Sequence, residues 1–556
     1  MISPMEAMQA HSAMSYAHGA SPVPLLGQTI GDSLRATVER HGEREALVVR
    51  WQKYRATYRQ LWDLTTRAAC ALIALGVAAG DRVGIWSPNR FEWVVIQFAS
   101  ARIGAILVNV NPAYRAAELE YALQQSGVSV LLLSKDYRQV PYQPVLDAVR
   151  SRCQDLRRAI VFDDEWDAFL AAGDQVPPAE LARLEAALQF DEPINIQYTS
   201  GTTGFPKGAT LTHHNLVNNA YFVGQGLAYT EHDRVCIPVP FYHCFGMVLG
   251  NLACITHGAC MVVPTESFNQ RAVLETIEAE RCTALYGVPA MFRAVLEVPD
   301  FDRFDRSSLR TGIMAGAPCP VELMREVVGR LHMPEVAIGY GMTETSPIST
   351  FTARTDSLEH RVTTVGRVLP HVEISVRDPA TSKLLPRGEA GEFCTRGYSV
   401  MEGYWRDEAA TRASIDRFGW MHSGDQAAMD EEGYVHIVGR IKDLIIRGGE
   451  KIMPVEVEAA LLSHPDVSEV QVVGVPSHKY GEAVMAWVRA KPGATLDEAD
   501  LTVFCRQRLA HYKVPRHWRF VNEFPMTVTG KVQKYKLREM AVELLGLYAE
   551  EATKTA

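Results

Sequence analysis

The sequence predicts an α/β protein in which a large N-terminal domain of layered sheets and helices precedes a small α+β C-terminal domain. Three observations carry this. Short apolar runs alternate with segments of helical period over most of the chain, the pattern of parallel α/β layers. The alternation gives way after GYVHIVGRIKDLIIRGG, Gly433 to Gly449, to a compact mixed set. The 556 residues also exceed the roughly 100–200 of a single domain.

Tyr58 to Leu75 (YRQLWDLTTRAACALIAL) places apolar residues at helical spacing and stops near Gly76. Arg82 to Trp86 reads as a short buried strand, Phe91 to Ala105 as a helix, the following ILVNVNP as a strand, and Val128 to Leu133 as another buried strand. Asp163 to Phe190 is acidic and Ala-rich with Pro177 and Pro178 inside it, and reads as a surface excursion. Strand and helix signals resume at Ile194 and run to about Asp430. Past a junction at Gly439 to Asp443 come a helix near Val455 to Leu462, strands at Val470 to Val475 and Ala483 to Ala490, and a helix from Leu496. The expected division is a loosely ordered segment 1–26, a domain 27–439, a connection 440–443 and a domain 444–556.

The composition is that of an ordinary globular chain, and a net charge of −9 gives no general field for nucleic acid. A polyanionic ligand would need local basic groups. The ten cysteines are scattered without CxxC or zinc-ligand spacing and read as reduced core thiols, which fits a reducing compartment. The N-terminus has no basic segment before an apolar one, and its first arginine is Arg35, so neither a signal nor a transit peptide is expected. No apolar stretch approaches the about 20 residues that span a bilayer. A cytoplasmic protein without an integral membrane segment is expected; the oligomeric state, a homodimer included, is left open.

The strongest local signal is YTSGTTGFPKGATLTHHN, Tyr198 to Asn215, between the strand-like INIQY and a helix from His213. Thr199, Ser200, Thr202 and Thr203 supply hydroxyls; Gly201, Gly204 and Gly208 let backbone N–H groups approach an anion; Lys207 adds a positive charge. Together they can wrap the β- and γ-phosphates of a nucleotide. The spacing is not that of a Walker A loop, in which four residues separate the first glycine from Gly-Lys-Ser/Thr. An isolated GTTG would be a surface turn; the full pattern is not.

YTSGTTGFPKG resembles the signature of the adenylate-forming enzymes, a group that includes acyl-CoA synthetases, nonribosomal peptide adenylation domains and firefly luciferases. The similarity runs from about Gly27 to about Arg538. VPFYHCFG, GYGMTETSP and IIRGGEKIMPVEVE carry a closer likeness to medium-chain fatty acyl-CoA synthetases. The resemblance implies ATP as co-substrate with Mg2+, coenzyme A as acyl acceptor, and a C-terminal domain that is mobile about a hinge at 440–443, with Lys442 as the hinge residue.

The same resemblance assigns roles residue by residue. In AGAP, Gly316, Ala317 and Pro318 lie against adenine. In GYGMTET, Tyr340 meets the adenine ring, Gly341 and Met342 border the nucleotide, Thr343 meets the α-phosphate and Glu344 holds magnesium. Mg2+ prefers oxygen ligands, usually one or two carboxylates with phosphates and water. Asp425 of HSGD and Arg440 of GRIKD meet the ribose, where a carboxylate can accept from both hydroxyls. Lys531, in the TGK frame of PMTVTGKVQKYKLRE, is the catalytic lysine bridging the attacking carboxylate and the α-phosphate.

Around the acyl group the reading is more open. His243 matches the residue at the junction of acyl and thiol channels, with Gly246, Met247 and Gly250 on a helix that suits either a tunnel wall or plain helix packing. Adjacent His243 and Cys244 do not make a nucleophilic dyad. Arg447, Gly448 and Gly449 match the border of the pantetheine channel, although Lys451 and Met453 depart from the common GGENIYP form. The expected activity is AMP-forming acid–thiol ligation through an acyl-adenylate. Two rivals stand beside it: a ligase that loads a carrier protein, and a non-catalytic nucleotide- or lipid-binding homologue. Only about 25 residues follow Lys531, which favours CoA, and the presence of Lys531, Glu344 and Asp425 favours catalysis.

Overall fold

The computed structural model describes residues 13–199, 206–317, 319–448, 450–526 and 532–547. The chain divides into two compact units. The larger comprises Ala17–Ile374 and Thr395–His422; the smaller takes Ser375–Cys394, the chain from Ser423 onward and the residues before Ala17.

Two sheets build the larger unit. One has seven strands in the order Gly403–Tyr404, Lys207–Thr212, Pro193–Thr199, Ile106–Val110, Arg82–Trp86, Val128–Leu133 and Arg158–Val161. From Pro193–Thr199 to Arg158–Val161 every pairing is parallel, whereas the first two strands pair antiparallel. The apolar runs ILVNV and VSVLLL are buried along their whole length, as parallel strands covered on both faces must be. The second sheet has nine strands: Arg367–Val368, Ile348–Phe351, Glu335–Gly341, Thr311–Ala315, Ala284–Gly287, Arg234–Cys236, Cys260–Val263, Glu45–Val49 and Tyr54–Thr57. It is parallel from Glu335–Gly341 to Glu45–Val49 and antiparallel at both edges.

The helices follow local signals. Tyr58–Ala74 starts at a capping box, in which Thr57 and Gln60 each accept the other's backbone N–H (3.2 and 2.9 Å); such a cap contributes about 1 kcal/mol. Phe91–Arg102 is buried at every residue after Phe91; most of it is apolar, and its buried Glu92 and Gln97 are paired with Arg90 and Asn251. It stops three residues earlier than the periodicity suggests: Gly104 turns the chain at φ +71°, and Ala105 N–H returns to the Ser100 carbonyl (3.0 Å). The guanidinium of Arg102 is buried, yet it is satisfied by Glu185 (2.6 Å), Thr66 (2.7 Å) and the Trp62 ring (3.6 Å).

The stretch expected to be a surface excursion is helical. Phe162–Ala172 and Pro178–Ala187 flank a single tight turn, Gly173–Gln175. Pro178 opens its helix, where a missing N–H costs nothing, and three acidic residues in the first turn of Phe162–Ala172 complement its dipole. Trp166 packs edge-on to Phe91 and Phe162. Residues 13–26, expected within a loosely ordered segment, include Leu26, whose backbone exchanges two hydrogen bonds with the Asn218 amide (2.7 and 3.1 Å).

In the smaller unit Gly481–Ala490 is central. It pairs antiparallel with Val467–Ser477 and Ile445–Arg447 and parallel with His517–Phe520; Glu450–Ile452 pairs with Ile445–Arg447. Alternation along the strands creates two cores. Val470, Val472, Val484 and Val488 meet Val457, Leu461 and Leu501, while Val473, Val475, Met485 and Trp487 meet Phe524, Leu537 and Ala541. The covering helices are Pro454–Leu462, Glu498–Arg506 and Lys534–Leu545. Among the described residues no helix is long and apolar enough to cross a membrane, and the ten cysteines form no disulfide.

Candidate active site

In an open parallel sheet, ligands collect beyond the carboxyl ends of the strands. Three strands have such ends in, or immediately before, predicted site residues: Pro193–Thr199, Thr311–Ala315 and Glu335–Gly341. Thr199 and Lys207 are opposite partners across an antiparallel ladder. Ser200, Gly201, Thr202, Thr203 and Gly204 lie outside the described residues. Thr311–Ala315 and Glu335–Gly341 are neighbours, with Ala315 opposite Gly339. They therefore deliver Gly316 (φ +86°, exposed), Ala317 and the half-buried Tyr340 at one edge. Pro318 is outside the described residues.

After Tyr340 the chain tightens. A Cβ on Gly341 would fall 1.9 Å from the Pro347 carbonyl oxygen, so only glycine fits. Thr343–Thr345 forms one tight helical turn. The Thr345 hydroxyl accepts the Met342 N–H (3.1 Å) and donates to the Pro347 carbonyl (2.9 Å), closing it. The turn buries Thr343 and Glu344.

Glu344 is where the two sheets meet chemically. Its Oε1 accepts the Tyr404 hydroxyl at 2.8 Å and lies 3.4 Å from the Thr199 hydroxyl. Lys207 Nζ sits 4.9 Å from the centroid of the Tyr404 ring, within cation–π range. Burial, then the Glu344 charge, pushes the Tyr404 phenol well above its ordinary range, so it stays a donor. Among the described residues Glu344 has no ion pair and its Oε2 no hydrogen bond. A buried carboxylate with one oxygen held and the other open suits a hard cation that also takes phosphate and water oxygens. Tyr404 was not singled out from the sequence; its only signal is the triplet Gly-Tyr-Trp, which locally reads as a turn.

The segment after His243 is a π-helix, Phe245–Leu252, buried throughout and continued by the α-helix Ala253–His257. His243 Nδ1 accepts the Phe245 N–H (3.2 Å) and lies 3.6 Å from Cys244 Sγ, which is 3.8 Å from the Thr343 hydroxyl. His243 is thus joined through Cys244 to the Thr343 turn. Gly246, Met247 and Gly250 are packed: a Cβ on Gly246 would lie 2.3 Å from the Pro240 carbonyl oxygen, and one on Gly250 would lie 3.0 Å from Ile237. Met247 Sδ receives the amides of Asn109 (3.1 Å) and Gln197 (3.2 Å), and the Gln97 amide donates to its carbonyl (3.2 Å). Met247 is thereby held by three buried amides, two on its sulfur and one on its carbonyl.

The remaining predicted residues belong to the smaller unit. Asp425 and Arg440 are opposite partners on adjoining antiparallel strands. Lys442 is exposed in the tight turn Ile441–Asp443. Arg447 donates to the Tyr512 carbonyl (2.5 Å) and lies over the Tyr480 ring (5.3 Å), and Gly448 N–H donates to the Tyr480 carbonyl (2.7 Å). Gly449 and Lys531 lie outside the described residues. Next to Lys531, Val532 bridges Met526, and Gln533 N–H donates to the Pro525 carbonyl (2.8 Å).

The model of the AMP-binding enzyme family matches residues 34–405, and that of the AMP-binding enzyme C-terminal domain matches 456–531. YngI of Bacillus subtilis (strain 168), an acyl-CoA synthetase by its name alone, is 45% identical over 95% of this chain and 100% of that protein. The mitochondrial medium-chain acyl-CoA ligase ACSF2 of Danio rerio is 43% identical over 96% of this chain and 91% of its own. Among solved structures, the anthranilate CoA ligase AuaEII in complex with anthranoyl-AMP has a TM-score of 0.83 at 28% identity, over 93% of this chain and 98% of that one.

Proposed function

Because the chain belongs to the AMP-binding enzyme family and is an acyl-CoA synthetase, joining an acid to CoA with ATP, we propose that its acid is a medium-chain fatty acid, activated on a magnesium-dependent ATP site built around Glu344. The approach of Thr199 to Glu344 from two separate sheets, with Lys207 beside them over the Tyr404 ring, supports the ATP and magnesium part of this reading. The name of the Danio rerio relative supports the chain length.

In the proposed reaction the fatty carboxylate oxygen attacks the α-phosphorus of ATP, and the bond to the pyrophosphate oxygen breaks. Lys207 and the hydroxyls of the loop from Thr199 hold the β- and γ-phosphates. Gly316, Ala317 and Tyr340 flank the adenine, and Asp425 and Arg440 hold the ribose. Mg2+ on Glu344 would neutralise phosphate charge, and Lys531 would bridge the attacking and α-phosphate oxygens. In the second half-reaction the CoA sulfur attacks the acyl carbon and the carbon–oxygen bond to AMP breaks. His243 would stand where the acyl and thiol groups meet, with Arg447 and Gly448 on the pantetheine path. A rotation about Lys442 would exchange the two half-reactions, a known way to reuse one site. We place the enzyme in the cytoplasm, on the strength of ten cysteines that form no disulfide.

The test is a pyrophosphate-release screen over short, medium, long and aromatic acids, with acyl-CoA identified by mass. Medium-chain acids are expected to give the highest kcat/KM. A maximum at long-chain or aromatic acids overturns the substrate assignment.

A further inference from the structure

Tyr404 reaches the site from a two-residue edge strand about two hundred positions beyond the phosphate loop, and everything around it fixes it. Its N–H donates to the Thr411 hydroxyl (2.8 Å). It pairs with Ala209 in the ladder, and its neighbours Glu402 and Trp405 donate to the carbonyls of Thr210 (3.0 Å) and Gly208 (2.7 Å). Met401 N–H donates to the Glu344 carbonyl (2.9 Å). The segment 401–405 therefore ties the strand leaving the phosphate loop to the turn that carries Glu344, and Tyr404 is its only side chain that bonds the carboxylate.

We infer that Tyr404 is a positioning residue for the metal-binding carboxylate: its hydroxyl holds Glu344 Oε1 so that Oε2 is left to bind Mg2+, and its ring holds Lys207 off the carboxylate. The inference rests on the magnesium role proposed for Glu344. A buried carboxylate needs a partner, and the nearby Lys207 could provide one. A lysine–glutamate ion pair would, however, cancel the charge that a divalent cation requires. The phenol satisfies the same oxygen without neutralising it, and Lys207 lies over the ring face at 4.9 Å, where it remains available to phosphate. Among the described residues no ion pair joins Lys207 to Glu344. Hydrogen bonds that orient a metal-ligating group in this way set its affinity, and their removal typically costs about 10–100-fold.

Y404F keeps the buried ring and removes only the hydroxyl. The experiment measures binding of Mn2+, as the probe for Mg2+, to the enzyme with ATP by electron paramagnetic resonance, together with metal-free ATP affinity by calorimetry. Y404F is expected to weaken Mn2+ about 10–100-fold and leave metal-free ATP affinity unchanged. Y404H, which restores a ring donor, is expected to recover part of the loss. Wild-type Mn2+ affinity in Y404F alongside a weakened E344Q overturns the positioning role alone. Wild-type affinity in E344Q overturns the Glu344 assignment beneath it. Equal loss of metal-free and metal-dependent binding in Y404F, with no gain in Y404H, reduces Tyr404 to a packing residue and also overturns the inference.

Discussion

Arg440 Nε donates to Asp425 Oδ1 at 3.0 Å, from directly opposite positions on adjoining strands. The aspartate side chain is 14% exposed and the arginine 53%, so the carboxylate is the fixed member and the guanidinium the adjustable one. D425N should therefore weaken ATP more than R440A. Loss of a hydrogen bond to a charged group costs about 1.5–3 kcal/mol, which predicts a KM for ATP raised about tenfold or more in D425N with kcat little changed. Initial-rate kinetics over a range of ATP check this.

Lys531 is proposed to act only while pyrophosphate leaves. Removing one preorganised donor typically costs about 10²–10³ in rate, and K531A should lose that much adenylation. It should spare thioester formation from supplied acyl-adenylate. Measuring the two half-reactions separately decides; equal loss in both removes the assignment.

Three residues on, Lys534 Nζ donates to Glu458 Oε1 (2.6 Å) and to the Val472 carbonyl (3.3 Å), and Glu458 Oε1 also accepts the Val472 N–H (2.8 Å). The Glu458 side chain is 12% exposed. K534M leaves that carboxylate with the Val472 N–H but no countercharge, and should destabilise the smaller unit by about 3 kcal/mol, the lower end for breaking a buried pair. The double variant E458L/K534M should cost less than K534M alone. Urea unfolding monitored at Trp487 reads both.

Burial pushes His213 down to about 3 and His257 down to about 4. A histidine lowered on folding takes its proton more readily in the unfolded chain. The stability it allows is therefore whole above its unfolded value near 6.5 and drains as pH falls toward the folded one. Melting temperature should fall steadily between about pH 6.5 and 4. H257Q should flatten the slope by up to about 1.4 kcal/mol per pH unit. An unchanged slope would mean that the ring is protonated in the folded protein.

G246A sets a methyl 2.3 Å from a backbone oxygen, whereas G250A meets the movable side chain of Ile237 at 3.0 Å. Overpacking of this kind costs about 1–3 kcal/mol, and G246A should show the larger drop in melting temperature.

Much of this was legible in the sequence, because the signals were local. The helix Tyr58–Ala74 is written in its own period and cap, and the strands ILVNV and VSVLLL in unbroken apolar runs. The Tyr340 to Glu344 stretch was found through its resemblance. Failures came where long-range pairing decides. Phe162–Ala172 read as part of a surface excursion because its acidic residues hide an apolar stripe whose Trp166 packs on Phe91, whereas Pro178–Ala187 buries only Leu181. Met247 in the π-helix is held by amides from Gln97, Asn109 and Gln197, none near it in sequence. Tyr404 meets Glu344 only because a distant two-residue strand caps the edge of the seven-stranded sheet.

That strand has just two residues, Gly403 and Tyr404, and side chains alternate faces along it. One residue inserted between Gly403 and Tyr404 would put the phenol out of phase with its partner Ala209 and bring a neighbour of the wrong shape to the carboxylate. One inserted in the turn between Gly397 and Gly403 can be absorbed without changing that pairing, so the two insertions should differ sharply in activity.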